Sequence, residues 1–136
     1  MQVKFDVEGG NFSKAGHASS QVKKILKQLN VAPKIIKSIV VALYEAEVNI
    51  VAHAYNGTIE VTIDPQKILI NLSDNGPGIA DISLAMQEGF STASQEVRQM
   101  GFGAGMGLPN IKRNTDEFEI ESEVGKGTKL IMTKFF

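Results

Sequence analysis

Residues 33–54 constrain the fold more than any other stretch of the chain. Pro33 suits the first turn of a helix, where its missing N–H costs nothing. Ile35, Ile36, Ile39, Val40, Leu43, Ala46, Ile50 and Val51 then recur at helical spacing and leave few polar positions around the circumference. A helix apolar on most sides belongs at the centre of a fold, covered by other elements. Its polar residues then need a reason, because an unpaired buried carboxylate is costly. Glu45, Asn49 and His53 are spaced i, i+4, i+8 and form one stripe along a single face. Glu47 points away from that stripe and is expected to be solvated. His53 reads as a satisfied core histidine.

The remaining periodicities supply what would cover such a helix. Residues 2–8 alternate, with Val3, Phe5 and Val7 on one side and Lys4 and Asp6 on the other, which predicts a half-buried strand. Ser13 is read as the N-cap of a first helix. Ala18, Val22, Ile25, Leu26 and Leu29 form its apolar face, and Lys23, Lys24, Lys27 and Gln28 a solvated one. Asn56-Gly57 reads as a turn. Ile59, Val61 and Ile63 alternate with Glu60 and Thr62, Asp64-Pro65-Gln66 turns the chain, and residues 67–73 return, so a hairpin is expected. Residues 82–87 read as a short helix. Residues 89–107 are rich in Gly, Ser and Thr, lack a sustained period apart from a turn at 94–100, and read as a lid. Residues 108–115 are helical, with Pro109 in the first turn. Glu117, Glu119 and Glu121 alternate with Phe118 and Ile120, Gly125-Lys126-Gly127 turns, and residues 128–136 form the last strand. Helices set apart from hairpin strands predict an α/β sandwich: one mixed, mainly antiparallel sheet with helices on one face.

Composition removes several functions. With 136 residues, 43% of them hydrophobic, the chain is read as one domain, 1–136, able to bury a real core. A net charge of -1 gives no basic footprint for nucleic acid. No cysteine is present, which excludes disulfides, thiol nucleophiles and cysteine metal sites. The first residues hold no apolar signal core, and no apolar run reaches membrane-spanning length, so a cytoplasmic protein away from membranes is expected. Two phosphate motifs fail. Gly125-Lys126-Gly127-Thr128 has a glycine after the lysine, with Ile120 where a P-loop needs its first glycine. Counted from Gly101 or Gly103, a dinucleotide fingerprint would need its last glycine at Met106 or Leu108. His17 and His53 are isolated, so no histidine metal pair exists.

Three motifs remain. Residues 68–73 alternate into Asp74-Asn75-Gly76-Pro77-Gly78-Ile79, an acid followed by a turn that two glycines leave almost bare. Upstream stands the helical pair Glu45 and Asn49. Downstream, Gly101-Phe102-Gly103-Ala104-Gly105-Met106-Gly107-Leu108-Pro109 runs into a helix. Bare backbone N–H groups at a helix start can hold phosphate without a Walker lysine. Together the three point to a nucleotide-phosphate site.

In this order and spacing the motifs resemble the N box and the two glycine boxes of the Bergerat-fold (GHKL) ATP-binding superfamily. The resemblance covers essentially the whole chain. Glu88-Gly89-Phe90-Ser91-Thr92, Gly107-Leu108-Pro109-Asn110-Ile111-Lys112-Arg113 and Asp116-Glu117-Phe118-Glu119-Ile120 further resemble the stand-alone anti-sigma-factor and switch-protein serine/threonine kinases of bacteria. Residues 92–100 are longer than expected of the most compact members. The resemblance implies ATP and Mg2+ as cofactors. Asp74 would accept the adenine amino group, with Gly76 and Gly78 making room for the base. Asn49 would be the magnesium ligand, and Glu45 the general base. Gly103, Gly105, Gly107 and Leu108 would hold the phosphates, and Thr128 would complete the adenine pocket. Arg98 and Lys112 are read as solvated. The implied activity is a protein serine/threonine kinase acting on a small regulatory protein of the anti-sigma antagonist type, with a sigma factor as further partner; the resemblance also admits a homodimer. The same boxes would equally serve a nucleotide-gated binding module without phosphoryl transfer, or a slow ATPase.

Overall fold

The computed structural model describes residues 1–79, 86 and 107–136. The expected short helix at 82–87, the lid and turn readings within 89–107, Gly103, Gly105 and Arg98 fall outside the described residues, apart from Met86 and Gly107. The described elements are strand β1 (Gln2–Glu8), a 3-10 turn (Phe12–Lys14), helix α1 (His17–Gln28), helix α2 (Pro33–His53), strands β2 (Asn56–Ile63) and β3 (Lys67–Asp74), helix α3 (Gly107–Arg113), and strands β4 (Glu117–Glu123) and β5 (Gly127–Phe135).

The strands form one sheet in the order β1-β2-β3-β5-β4, and every described ladder is antiparallel. Register explains the layers. Val3 pairs with Val61, which pairs with Ile70, which pairs with Met132, which pairs with Phe118. That row and its neighbours Ile59, Leu72 and Leu130 point to one face. There they share a core with Ala18, Val22 and Leu26 of α1, Ile39, Leu43 and Ile50 of α2, and Leu108 and Ile111 of α3. The next row over, Lys4, Glu60, Asn71, Ile131 and Glu119, points to the other face. The helices therefore occupy one side, as the sandwich reading requires. Within the core α2 is central: Ile39, Ala42, Leu43, Ile50 and Val51 are all buried. Glu117, Glu119 and Glu121 are exposed as expected, and so are the α1 lysines. Among the described residues no helix is long and apolar enough to cross a membrane.

Two local expectations are corrected. Helix α1 begins at His17, with Gly16 at its N-cap and no side-chain cap of its own. Ser13 lies in the preceding 3-10 turn and donates instead to Asn11 Oδ1 at 2.7 Å. Asn56 and Gly57 open β2 and pair with Glu8 and Val7, so they are strand and not turn. Gly57 is needed for closeness: a Cβ there would sit 2.8 Å from the Ser73 carbonyl oxygen and 3.0 Å from Ile50 Cγ2.

Candidate active site

One face of α2 carries the site along its length. Asn49 and Glu45 lie one turn apart on it, and the start of α3 packs against both. A Cβ added at Gly107 would lie 3.2 Å from both Oδ1 and Nδ2 of Asn49, so a larger residue there would press on the Asn49 amide. One turn further along α3, Asn110 Nδ2 donates to Glu45 Oε1 at 3.2 Å. At the far end of the stripe, a Cβ at Gly76 would fall 2.9 Å from Ala54 Cα and 3.1 Å from the His53 carbonyl oxygen. The stripe thus links the start of α3 to the acid turn after β3.

Asp74 ends β3, half-buried. Its Oδ1 accepts the backbone N–H of Gly76 at 2.9 Å and of Thr128 at 3.2 Å. Among the described residues Oδ2 carries no hydrogen bond. The turn is braced from two sides. Asn56 N donates to Asn75 Oδ1 at 2.8 Å, and Gly125 N donates to the Pro77 carbonyl at 2.8 Å. Gly78 has φ +80, and a Cβ there would meet the Glu123 carbonyl oxygen at 2.3 Å. Gly127 has φ +132, and a Cβ there would lie 2.0 Å from the Asp74 carbonyl oxygen. Both conformations favour glycine, which carries no Cβ to clash.

Ser122 was not singled out by the sequence, yet it ties this corner together. It accepts the Ile79 N–H at 2.6 Å and donates to the Gly127 carbonyl at 3.1 Å. Its single proton is then used, so Thr128 Oγ1, 2.9 Å away, is the donor in their contact. Thr128 therefore faces the corner from β5 and holds Asp74 through its backbone. A lone serine in a strand carries no local signal, and its partners are remote in sequence.

Glu47 is a correction. It is 2% exposed and not solvated. Its Oε2 accepts the Ala18 N–H at 3.0 Å and its Oε1 the Ser19 N–H at 3.1 Å. Helix α1 has no acid in its first turn and no capping side chain, so its orphan N–H groups take a carboxylate from the neighbouring helix. His53, half-buried near Asp74, is held below the ordinary histidine pKa by burial, which outweighs the opposing pull of the Asp74 charge. Leu108 is buried in the core, so its side chain packs and only its backbone could face a ligand.

A bound Mg2+ fits this donor set only in a particular way. Among the described residues no three His, Cys, Asp or Glu side chains gather into a cage. The half-buried Asn49 amide, with bare Gly107 beside it, offers one oxygen. Magnesium is commonly bound through one or two protein groups, with waters and substrate phosphates filling the rest of its shell.

Comparison with known proteins bears on the family and the fold. The family model described as "Histidine kinase-like ATPase domain" matches residues 13–134. An anti-sigma F factor from Caldanaerobacter subterraneus subsp. tengcongensis is 37% identical over 140 aligned residues, covering 99% of this chain and 92% of that protein. The serine/threonine-protein kinase RsbT of Bacillus subtilis is 35% identical over 117 residues, covering 83% of this chain and 82% of that protein. Among solved structures, the RsbU and RsbW domains of a Mycobacterium tuberculosis protein superpose with a TM-score of 0.67 at 15% identity, covering 99% of this chain and 32% of that one. That likeness bears on the fold.

Proposed function

This chain belongs to the family of histidine kinase-like ATPase domains, and from that premise we propose that residues 1–136 form one Mg-ATP-dependent protein serine/threonine kinase of the anti-sigma and switch type. Its substrate is a small regulatory protein. The observation that carries this reading is the packing of α3 on the polar stripe of α2, with Gly107 against Asn49 and Asn110 on Glu45. Phosphoryl transfer asks chiefly for positioning and charge stabilisation, and for one group to orient the attacking hydroxyl. Glu45 supplies that group.

In the step proposed, the acceptor serine or threonine oxygen bonds to the γ-phosphorus. The bond from that phosphorus to the β,γ-bridging oxygen breaks, ADP leaves, and the hydroxyl proton passes to the Glu45 carboxylate. Asn49 would hold Mg2+, which when bound neutralises charge on the phosphate oxygens. Asp74 binds the adenine amino group through Oδ2, with Gly76, Gly78 and Thr128 shaping the pocket. Gly103, Gly105, Gly107 and the backbone at Leu108 hold the phosphates. The relative named as a serine/threonine kinase supports transfer. Relatives named anti-sigma F factor favour a second reading, a nucleotide-gated module that holds a sigma-type partner.

The test incubates the protein with Mg2+ and γ-labelled ATP, with and without lysate of its host, beside Glu45→Gln. The kinase reading expects label on a small host protein as phosphoserine or phosphothreonine, reduced to a slow residual rate in the variant. ATP binding with no labelled protein supports the binding module. Label released only as inorganic phosphate makes the chain a slow ATPase and ends the kinase reading.

A further inference from the structure

The Glu45 side chain is not left to its own rotamers. Asn110 Nδ2 donates to its Oε1 at 3.2 Å, across 65 positions of chain. On the other side of the same amide, Arg113 NH2 donates to Asn110 Oδ1 at 2.9 Å. These two contacts select one orientation of the amide. Turned over, its nitrogen would face a guanidinium and its oxygen a carboxylate, and both contacts would repel. The backbone of Asn110 is held as well: its carbonyl accepts Asn114 Nδ2 at 2.8 Å and Asn114 N at 3.2 Å. Gly107 against Asn49 and Asn110 against Glu45 make two contacts one turn apart on both helices, so α3 cannot slide along α2 without losing both.

The intervening amide matters for chemistry. An arginine placed directly on Glu45 would tend to fork onto both carboxylate oxygens. An asparagine amide group in this orientation engages one oxygen, and among the described residues Oε2 carries no hydrogen bond. Proton abstraction needs one oxygen, correctly aimed.

We propose that Asn110, oriented by Arg113, is a positioning residue for Glu45, holding Oε1 so that Oε2 faces the acceptor hydroxyl. This rests on Glu45 acting as the base. The experiment uses the full chain, Mg2+ and γ-labelled ATP, with the host protein that becomes labelled as acceptor, and circular dichroism to verify folding. Asn110→Ala is expected to slow transfer about ten- to hundredfold, with ATP affinity changed less than about twofold. Asn110→Asp, which sets a second carboxylate beside Glu45, slows it at least as much. In a Glu45→Gln background Asn110→Ala has no further effect. A full additional loss in that background, or a loss of ATP affinity as large as the loss of rate, overturns the proposal. A second readout needs no activity: the Asn110 side-chain amide signal in 1H–15N spectra moves on Glu45→Ala and on Arg113→Gln. A signal unmoved by both variants shows that the contacts are absent and overturns the proposal by itself. If instead the signal moves but Glu45→Gln leaves transfer intact, the contact is real and it is the base assignment that has failed, taking the positioning role with it.

Discussion

Asp74 shows how a residue can be fixed and yet available. One carboxylate oxygen is taken by the backbone N–H groups of Gly76 and Thr128, and the other is open among the described residues. Asp74→Asn can keep the first set of contacts but loses the charge that a donor on a base would meet. We expect ATP affinity, read by calorimetry, to fall by roughly ten- to a hundredfold. Unchanged affinity would remove Asp74 from the adenine site. Glu47 differs: both of its oxygens serve the fold. Glu47→Ala strips two buried N–H groups of charged partners, so unfolding in urea should show a loss of about 3 kcal/mol. A loss below about 0.5 kcal/mol would mean that water replaces the carboxylate there. Asp74 and Glu45 were legible because each sits in a local motif. Glu47, Ser122 and Asn110 were not, because their partners lie 28, 43 and 65 positions away.

At the scale of elements, alternation was enough for β1 and for the β2–β3 hairpin, since a period of two survives wherever one face of a sheet is buried. The all-round apolar pattern placed α2 at the centre, because a helix apolar on most sides must be covered by other elements. Neighbour order was less readable. Strand β4 carries Glu117, Glu119 and Glu121 on one side and half-buried Phe118 and Ile120 on the other, and it lies at the edge. Strand β5, with Leu130, Met132 and Thr133 buried, lies between β4 and β3. A charged face suits an edge that must not pair further. The β4–β5 turn then docks on the acid turn, and its two glycines should respond differently to one test. Gly127→Ala collides with the Asp74 carbonyl and should lower stability by about 2–4 kcal/mol. Gly125→Ala has nothing within 4 Å and should cost only the left-handed penalty, about 1–2 kcal/mol. Equal losses in thermal unfolding would contradict the close approach at Gly127.

Across the whole molecule, His53 couples folding to pH. Its folded pKa lies below the ordinary 6.5, so the unfolded chain binds the proton more readily. Its contribution is therefore fully present above that value and is lost as pH falls from 6.5 towards the lowered pKa. Urea midpoints at several pH values between about 7.5 and 5 should decline for the native chain, and the slope should be shallower for His53→Gln. Identical slopes would show that His53 is not the group responsible. Saturating ATP should also raise stability, by about 2.7 kcal/mol at a hundred times Kd, because only the folded state has the site.

The stretch from Glu45 to Asn49 holds two separate obligations. A turn of about 100° per residue sets Glu47 roughly 200° from Glu45, on the opposite side of the helix. In a mutational scan scored by activity alone, both acids would read as intolerant, and Glu47 would be filed with the chemistry. Scored by soluble yield, only Glu47 should drop out. On the proposed function, a selection that varied the Glu45 face would explore new acceptors without disturbing the hold on α1, since the two sides of α2 meet different neighbours.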